Sequence, residues 1–196
     1  MGNIKKVMEK TAPALGLKYD AKRLVVYGNH RGFTTVIQLL QQSNNAPKVW
    51  ISLMAATAQG TPLSGFEIQN LPMPKGVEVS VAQYSIGISV PLKGNNDAIT
   101  GNITTALRTV LDYVMAQGGV NCDENGMPNM TEVWRAKGNY MILSPEGAVS
   151  LRNRMSMEAS ALAMKKENYV LGILGALAGS VVGALVIFLI ARLGYV

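Results

Sequence analysis

The spacing of apolar and polar residues changes several times along the chain, and each change marks an element. Residues Ile4 to Leu15 predict a short opening helix, weakened by Pro13. From Arg23 to Leu92 the texture is that of strands. RLVVYG, FTTVIQLL, VWISLMAA, GFEIQN and VEVSVAQYSIGISV are rich in β-branched and aromatic residues. The turn-like clusters GNHRG, SNNAPK, AQGTPLS and LPMPKG separate them. Val77, Val79 and Val81 alternate with Glu78 and Ser80, the signature of a half-buried antiparallel strand. Strands this close in sequence imply hairpins rather than parallel crossovers. A long amphipathic helix follows, capped by Asn95 or Asn96 and stopped by Gly118-Gly119. Ile99, Ile103, Ala106, Leu107, Val110, Leu111, Val114 and Met115 recur along it at spacings of three and four.

Beyond this helix the pattern breaks. Turn-rich CDENGMPN leads into TEVWRAKGNYMIL, which reads as a small hairpin unit over residues 118–143. Ser144-Pro145 starts another helix, with serine as cap, proline at the first helical position and Glu146 on the helix dipole. Ala148, Leu151, Met155 and Leu162 mark its apolar stripe. Met155, Met157 and Met164 read as gap-filling residues of a helix interface rather than soft-metal ligands.

The chain then changes character altogether. Residues 169–191, YVLGILGALAGSVVGALVIFLIA, form a run of 23 without a charge, fenced by Lys165-Lys166-Glu167 and Arg192. As a helix this run would be roughly 34 Å long, against a hydrocarbon core of about 30 Å. It predicts a transmembrane helix. Within it Gly175, Gly179 and Gly183 form two overlapping G-x3-G steps, and Ala176, Ser180 and Ala184 make a parallel row one residue on. Two adjacent rows of small residues let a second backbone approach closely, so these six residues are the candidate helix-packing face, for a second copy or for another membrane helix. Arg152, Arg154, Lys165 and Lys166 precede the span and only Arg192 follows it, which by the positive-inside rule puts the large N-terminal part in the cytoplasm.

The expected fold class is therefore α+β. An antiparallel sheet is covered by an amphipathic helix in a cytoplasmic domain over residues 1–117, and a small hairpin unit occupies 118–143. A connecting helix over 144–168 then leads into the transmembrane helix at 169–191.

Composition adds limits. The net charge of +6 is modest, and the 18 basic residues are scattered singly or in pairs, so nucleic acid is not an expected partner and the lipid bilayer is. One cysteine, Cys122, permits no intramolecular disulfide and suits a reducing compartment. The N-terminus lacks the apolar stretch of a signal peptide.

Catalytic chemistry finds little support. His30, the only histidine, sits in GNHRG and reads as a solvated turn residue. No Ser–His–acid signature, H-E-x-x-H, phosphate loop or G-x-G-x-x-G after a strand is present. The acidic neighbours Asp123 and Glu124 argue against an activated thiol at Cys122. No catalytic residue, cofactor or metal ligand is assigned. The expectation is a non-enzymatic interaction, scaffold or regulatory protein. The alternative is a ligand-binding or transport-accessory protein whose cytoplasmic domain holds a small molecule between sheet and helix.

One spacing stands out among the polar segments. Cys122 and Asn125, then Ser144 and Gly147, form two C-x2-C-like pairs with 18 residues between them, the spacing of a four-cysteine zinc ribbon with one of four ligands kept. On the residues alone, a hairpin with coincidental spacing explains it. The run NYMILSPEGAVSL…KKENYVLGILGALAGSVVGALVIFLIARLGYV, however, resembles a pattern in Gram-positive bacterial membrane proteins of unknown function. In these, a cytoplasmic α+β domain precedes a zinc-ribbon-like unit, and a helix leads through KKEN into a Gly-rich first transmembrane helix. The resemblance spans roughly residues 118 to 196. It implies that 118–143 is a degenerate ribbon in which Asn125, Ser144 and Gly147 replace three ligands, that no zinc is bound, and that Trp134, Tyr140 and Ile142 hold the hairpin instead. It also implies further membrane helices beyond the first, which this sequence does not contain.

Overall fold

The computed structural model describes residues 3–40, 47–128, 131–136 and 139–164. The segment 169–191, with Gly175, Ala176, Gly179, Ser180, Gly183 and Ala184, lies outside the described residues. Among those described, no helix is long and apolar enough to cross a membrane.

Helix α1 runs from Ile4 to Leu15. The Asn3 side chain accepts from the amides of Lys5 and Lys6, and Gly16 closes the far end at φ 67°, a left-handed conformation that glycine adopts freely. Pro13 sits in the last turn, where it takes the N–H that would bond the Glu9 carbonyl out of the ladder, and the helix ends two residues later. Strands β1 (Lys18–Asp20), β2 (Val25–His30), β3 (Phe33–Leu40) and β4 (Lys48–Thr57) follow. β2 and β3 are joined by Arg31-Gly32, both at positive φ (54° and 90°), the two-residue hairpin turn whose twist matches that of the strands.

One expected strand is a helix. GFEIQN forms α2 (Gly65–Gln69), because Ser64 caps it by accepting from the Glu67 amide. Ser64-x-x-Glu67 is a helix-start signature that outweighs the β-prone Phe66 and Ile68. The run VEVSVAQYSIGISV is a tight hairpin, β5 (Glu78–Ala82) and β6 (Ser85–Pro91), turned at Gln83, which takes φ 54°. Helix α3 (Asn96–Ala116) is capped by Asn95, whose side chain accepts from the Ala98 amide at 2.8 Å. The described residues close with β7 (Gly119–Asn121), a hairpin of β8 (Glu132–Ala136) and β9 (Asn139–Leu143), and α4 (Pro145–Met164).

The described molecule is thus α+β with an antiparallel sheet in the order β1-β2-β3-β4-β6-β5. β7 continues the pairing of β4 at Ala55–Thr57. Residues 1–151 form one compact unit, which contains the sheet, the β8–β9 hairpin and the start of α4, while Arg152 begins a second.

Strand alternation sends Val49, Ile51, Leu53 and Ala55 of β4 to one face and Trp50, Ser52 and Met54 to the other. The first face is the core. Ile86, Ile88 and Val90 of β6 share it, and α1 and α3 close it with Val7, Met8, Leu15, Ile99, Ile103, Leu107 and Leu111. Seven of the eight expected stripe residues of α3 are buried; Met115 is the exception, exposed beyond the last packed turn. The N-terminal end of α3 is tied to α1 by Lys10 Nζ to Asp97 at 2.6 Å and to its cap by the Asn3 amide to Asn96 Oδ1 at 2.8 Å.

Among the described residues, the opposite face is covered at one end only. There the β8–β9 hairpin lies over β2 and β3, and Ile142 joins Val25 and Val36 in a second small core, ringed by Tyr27, Met54, Val133 and Tyr140. Tyr140 and Ile142 therefore carry the packing expected of them, while Trp134 is half-buried. Tyr140 packs its ring 6.2 Å from that of Tyr27 and donates its hydroxyl to Asp20 Oδ2 at 3.0 Å. Asp20 also receives Arg23 Nη1 at 2.8 Å, and this guanidinium, with Tyr140 assisting, holds the Asp20 carboxyl below the usual carboxylate range.

Along α4, by contrast, Val149, Met155 and Met157 are exposed among the described residues. Met164 lies outside the residues whose side chains are described.

Candidate functional site

Two places concentrate polar chemistry. The first is the junction where the chain leaves the hairpin for α4, built from the spacing that suggested a ribbon. Asp123 Oδ1 accepts from the amides of Asn125 and Met127, both at 2.9 Å, which folds Cys122 to Asn125 into a tight knuckle. Gly126 completes it at φ 82° under the ring of Tyr84. Cys122 faces inward and is fully buried.

The knuckle then offers Glu124 to the second pair of positions. Its Oε2 accepts from the Ser144 amide at 3.2 Å and its Oε1 from the Ser144 hydroxyl at 3.0 Å. Ser144 Oγ in turn accepts from the Gly147 amide at 3.0 Å, the N-cap of α4 that Ser144-Pro145 predicts. A Cβ at Gly147 would fall 2.0 Å from Glu124 Oε1. The structure thus brings the 122–125 and 144–147 segments together, and the group between them is a carboxylate. Among the described residues no three His, Cys, Asp or Glu side chains gather as a metal would require.

Burial, with Asp123 beside it, pushes the Cys122 thiol up to about 12. With an ordinary value near 9, the thiolate fraction at neutral pH falls by about three orders of magnitude, and the sulfur is also shielded. Native protein at pH 8 should therefore leave Cys122 unreacted with a disulfide-exchange reagent over hours, and should titrate one thiol at once in denaturant. Rapid labelling of the native chain would mean that the knuckle opens.

His30 corrects its sequence reading. It is not a solvated turn residue; it is half-buried, and its Nδ1 lies 2.7 Å from the Leu15 carbonyl at the end of α1. One of the free carbonyls of that helix end is thereby occupied. Its neighbour Arg31 pairs with Asp112 of α3 at 2.6 Å. Both residues fasten helices to the first hairpin.

The second place is the half of the outer sheet face, over β4, β6 and β5, that no other described element covers. Here Trp50 lies with its six-membered ring directly over Gly87, since a Cβ at Gly87 would meet Trp50 Cζ2 at 2.2 Å and Cη2 at 2.6 Å. Glycine is required there because any side chain would lift the indole. Trp50, Ser80 and Ser89 line a cavity of about 360 Å³ that ends at the ion pair of Lys48 Nζ and Glu78 Oε2, 3.0 Å apart. Past that pair, a larger cavity of about 990 Å³ wraps the sheet end toward α3, between Lys75, Pro91, Lys93 and Asn102. Sequence reasoning did not single out these residues. The only signal was Gly87 inside a strand run, which marks a close approach of another group.

No family model, curated protein or solved structure matches the chain.

Proposed function

We propose that the protein is a membrane-anchored, non-enzymatic interaction protein. The observation that carries the proposal is the uncharged run 169–191 with its fence of charges. In this reading the α+β unit lies on the cytoplasmic side. The anchoring helix packs through Gly175, Gly179 and Gly183, with Ala176, Ser180 and Ala184, against a second copy or a partner helix. The resemblance to Gram-positive membrane proteins belongs to the same proposal. On it, the segments 122–125 and 144–147 are a ribbon that has lost its metal ligands. The Glu124 hydrogen bonds to Ser144 support this, because they occupy the junction that a metal would otherwise hold together.

The anchoring helix is tested through its small face. In a membrane-helix association assay, Gly179→Ile should reduce association at least several-fold, because a branched side chain holds the backbones apart. A signal equal to that of the unaltered helix would remove the packing face.

A second reading, a ligand-binding domain, is favoured by one specific observation, on the outer sheet face and not between sheet and helix, where the apolar core side chains pack. The open outer face carries an indole platform and two adjoining cavities rather than a flat polar surface. Membrane anchoring and ligand binding are compatible, and the two rest on different parts of the chain.

A further inference from the structure

The antiparallel register lays the open face out as a track. Trp50, Ser89 and Glu78 share one rung, and Lys48 and Pro91 share a rung two residues further along. Lys93 stands just past the end of β6, and Lys75 just before β5. From the rung of Trp50 to Lys93 is four residues, up to roughly 13 Å of extended chain. The two ends differ in chemistry. At one, a half-buried indole is backed by Gly87 and flanked by the hydroxyl-bearing Ser80 and Ser89. At the other, the larger cavity holds Lys48, Lys75 and Lys93 against a single carboxylate, Glu78. Glu78 is already engaged by Lys48, and neither Lys75 nor Lys93 has an ion-pair partner among the described residues. The large cavity therefore carries surplus positive charge, which suits an anion.

A planar apolar platform with a serine hydroxyl beside it and a cationic cavity beyond matches one class of small molecule. We propose that this track binds a nucleoside phosphate, with its base against Trp50, its ribose near Ser89, and its phosphates at Lys75 and Lys93. Aromatic faces stack any base, and the lysines serve phosphate as point charges. The Lys48–Glu78 pair sits where base and phosphates divide and sets the ligand's register. The inference goes beyond the membrane-anchor reading and does not depend on it, since every residue used lies within residues 48–102.

The test uses the full chain in detergent micelles, in a Trp134→Phe background so that fluorescence reports Trp50 alone. The probes are AMP, ADP, GMP, GDP and UMP, with adenosine, inorganic phosphate and glycerol 3-phosphate as comparisons. At least one nucleotide should quench the emission saturably. Lys75→Glu with Lys93→Glu, both at exposed positions, should weaken that binding at least tenfold while leaving the thermal transition in place. Adenosine should bind at least tenfold more weakly than its phosphates. Three results would overturn the proposal. One is no saturable response to any nucleotide at millimolar concentration. Another is equal binding of inorganic or glycerol phosphate, which would leave a plain anion or lipid-headgroup site. The third is nucleotide binding that ignores both lysine substitutions.

Discussion

Replacing Leu107 with alanine should lower the unfolding free energy by about 3–5 kcal/mol, a large part of the stability of a domain this size. Leu107 lies in the middle of the α3 stripe and is fully buried among the apolar side chains of the inner sheet face and α1. The loss combines the transfer of its side-chain atoms with the cavity left behind. Rigid sheet on one side and helix α1 on the other leave little room for the site to collapse. Urea titration followed by far-UV circular dichroism should show the midpoint fall with an unchanged slope. A loss under about 1 kcal/mol, the scale of a surface change, would mean that α3 does not cover this face.

The second large effect is expected at the junction before α4. Glu124→Ala removes the acceptor of both the Ser144 amide and the Ser144 hydroxyl, and Ser144 is almost fully buried. Two donors are then left without their partner in a site that water reaches poorly, at a cost of about 2–3 kcal/mol. Glu124→Gln keeps one acceptor oxygen and should lose about half as much. The pair of variants separates hydrogen bonding from packing, because glutamine preserves the volume. If both variants matched the unaltered protein in chemical denaturation, the carboxylate would not be what joins the two segments.

How much of this was legible in the sequence depends on the kind of signal. The α3 stripe and its Asn95 cap could be read directly, because helical period and capping are local properties. So could the bounds of α1 and β3. α2 was misread because β-prone residues outweighed the Ser64-x-x-Glu67 start in a five-residue element. The turn at Gln83-Tyr84 lacks the glycine or asparagine that normally marks positive φ, so one continuous run concealed two strands.

The candidate sites were harder still. Glu124 meets Ser144 across 20 residues, and the ligand spacing of 122, 125, 144 and 147 carries no sign of the carboxylate between them. Trp50 over Gly87 depends on the pairing of β4 with β6, which skips over β5 and α2 in the chain. His30 looked solvated because nothing local reveals that the end of α1 returns to it.

The central claim, that residues 169–191 hold the chain in a bilayer, is most directly tested by alkaline carbonate extraction of membranes from cells producing the full chain. The account predicts that the protein stays in the pellet, and that replacing Leu174 and Leu177 each with arginine releases it to the supernatant. An arginine costs up to about 2.5–3.5 kcal/mol at the centre of an inserted helix and less towards its ends, and the two costs add. Recovery of the unaltered chain in the carbonate supernatant would contradict it.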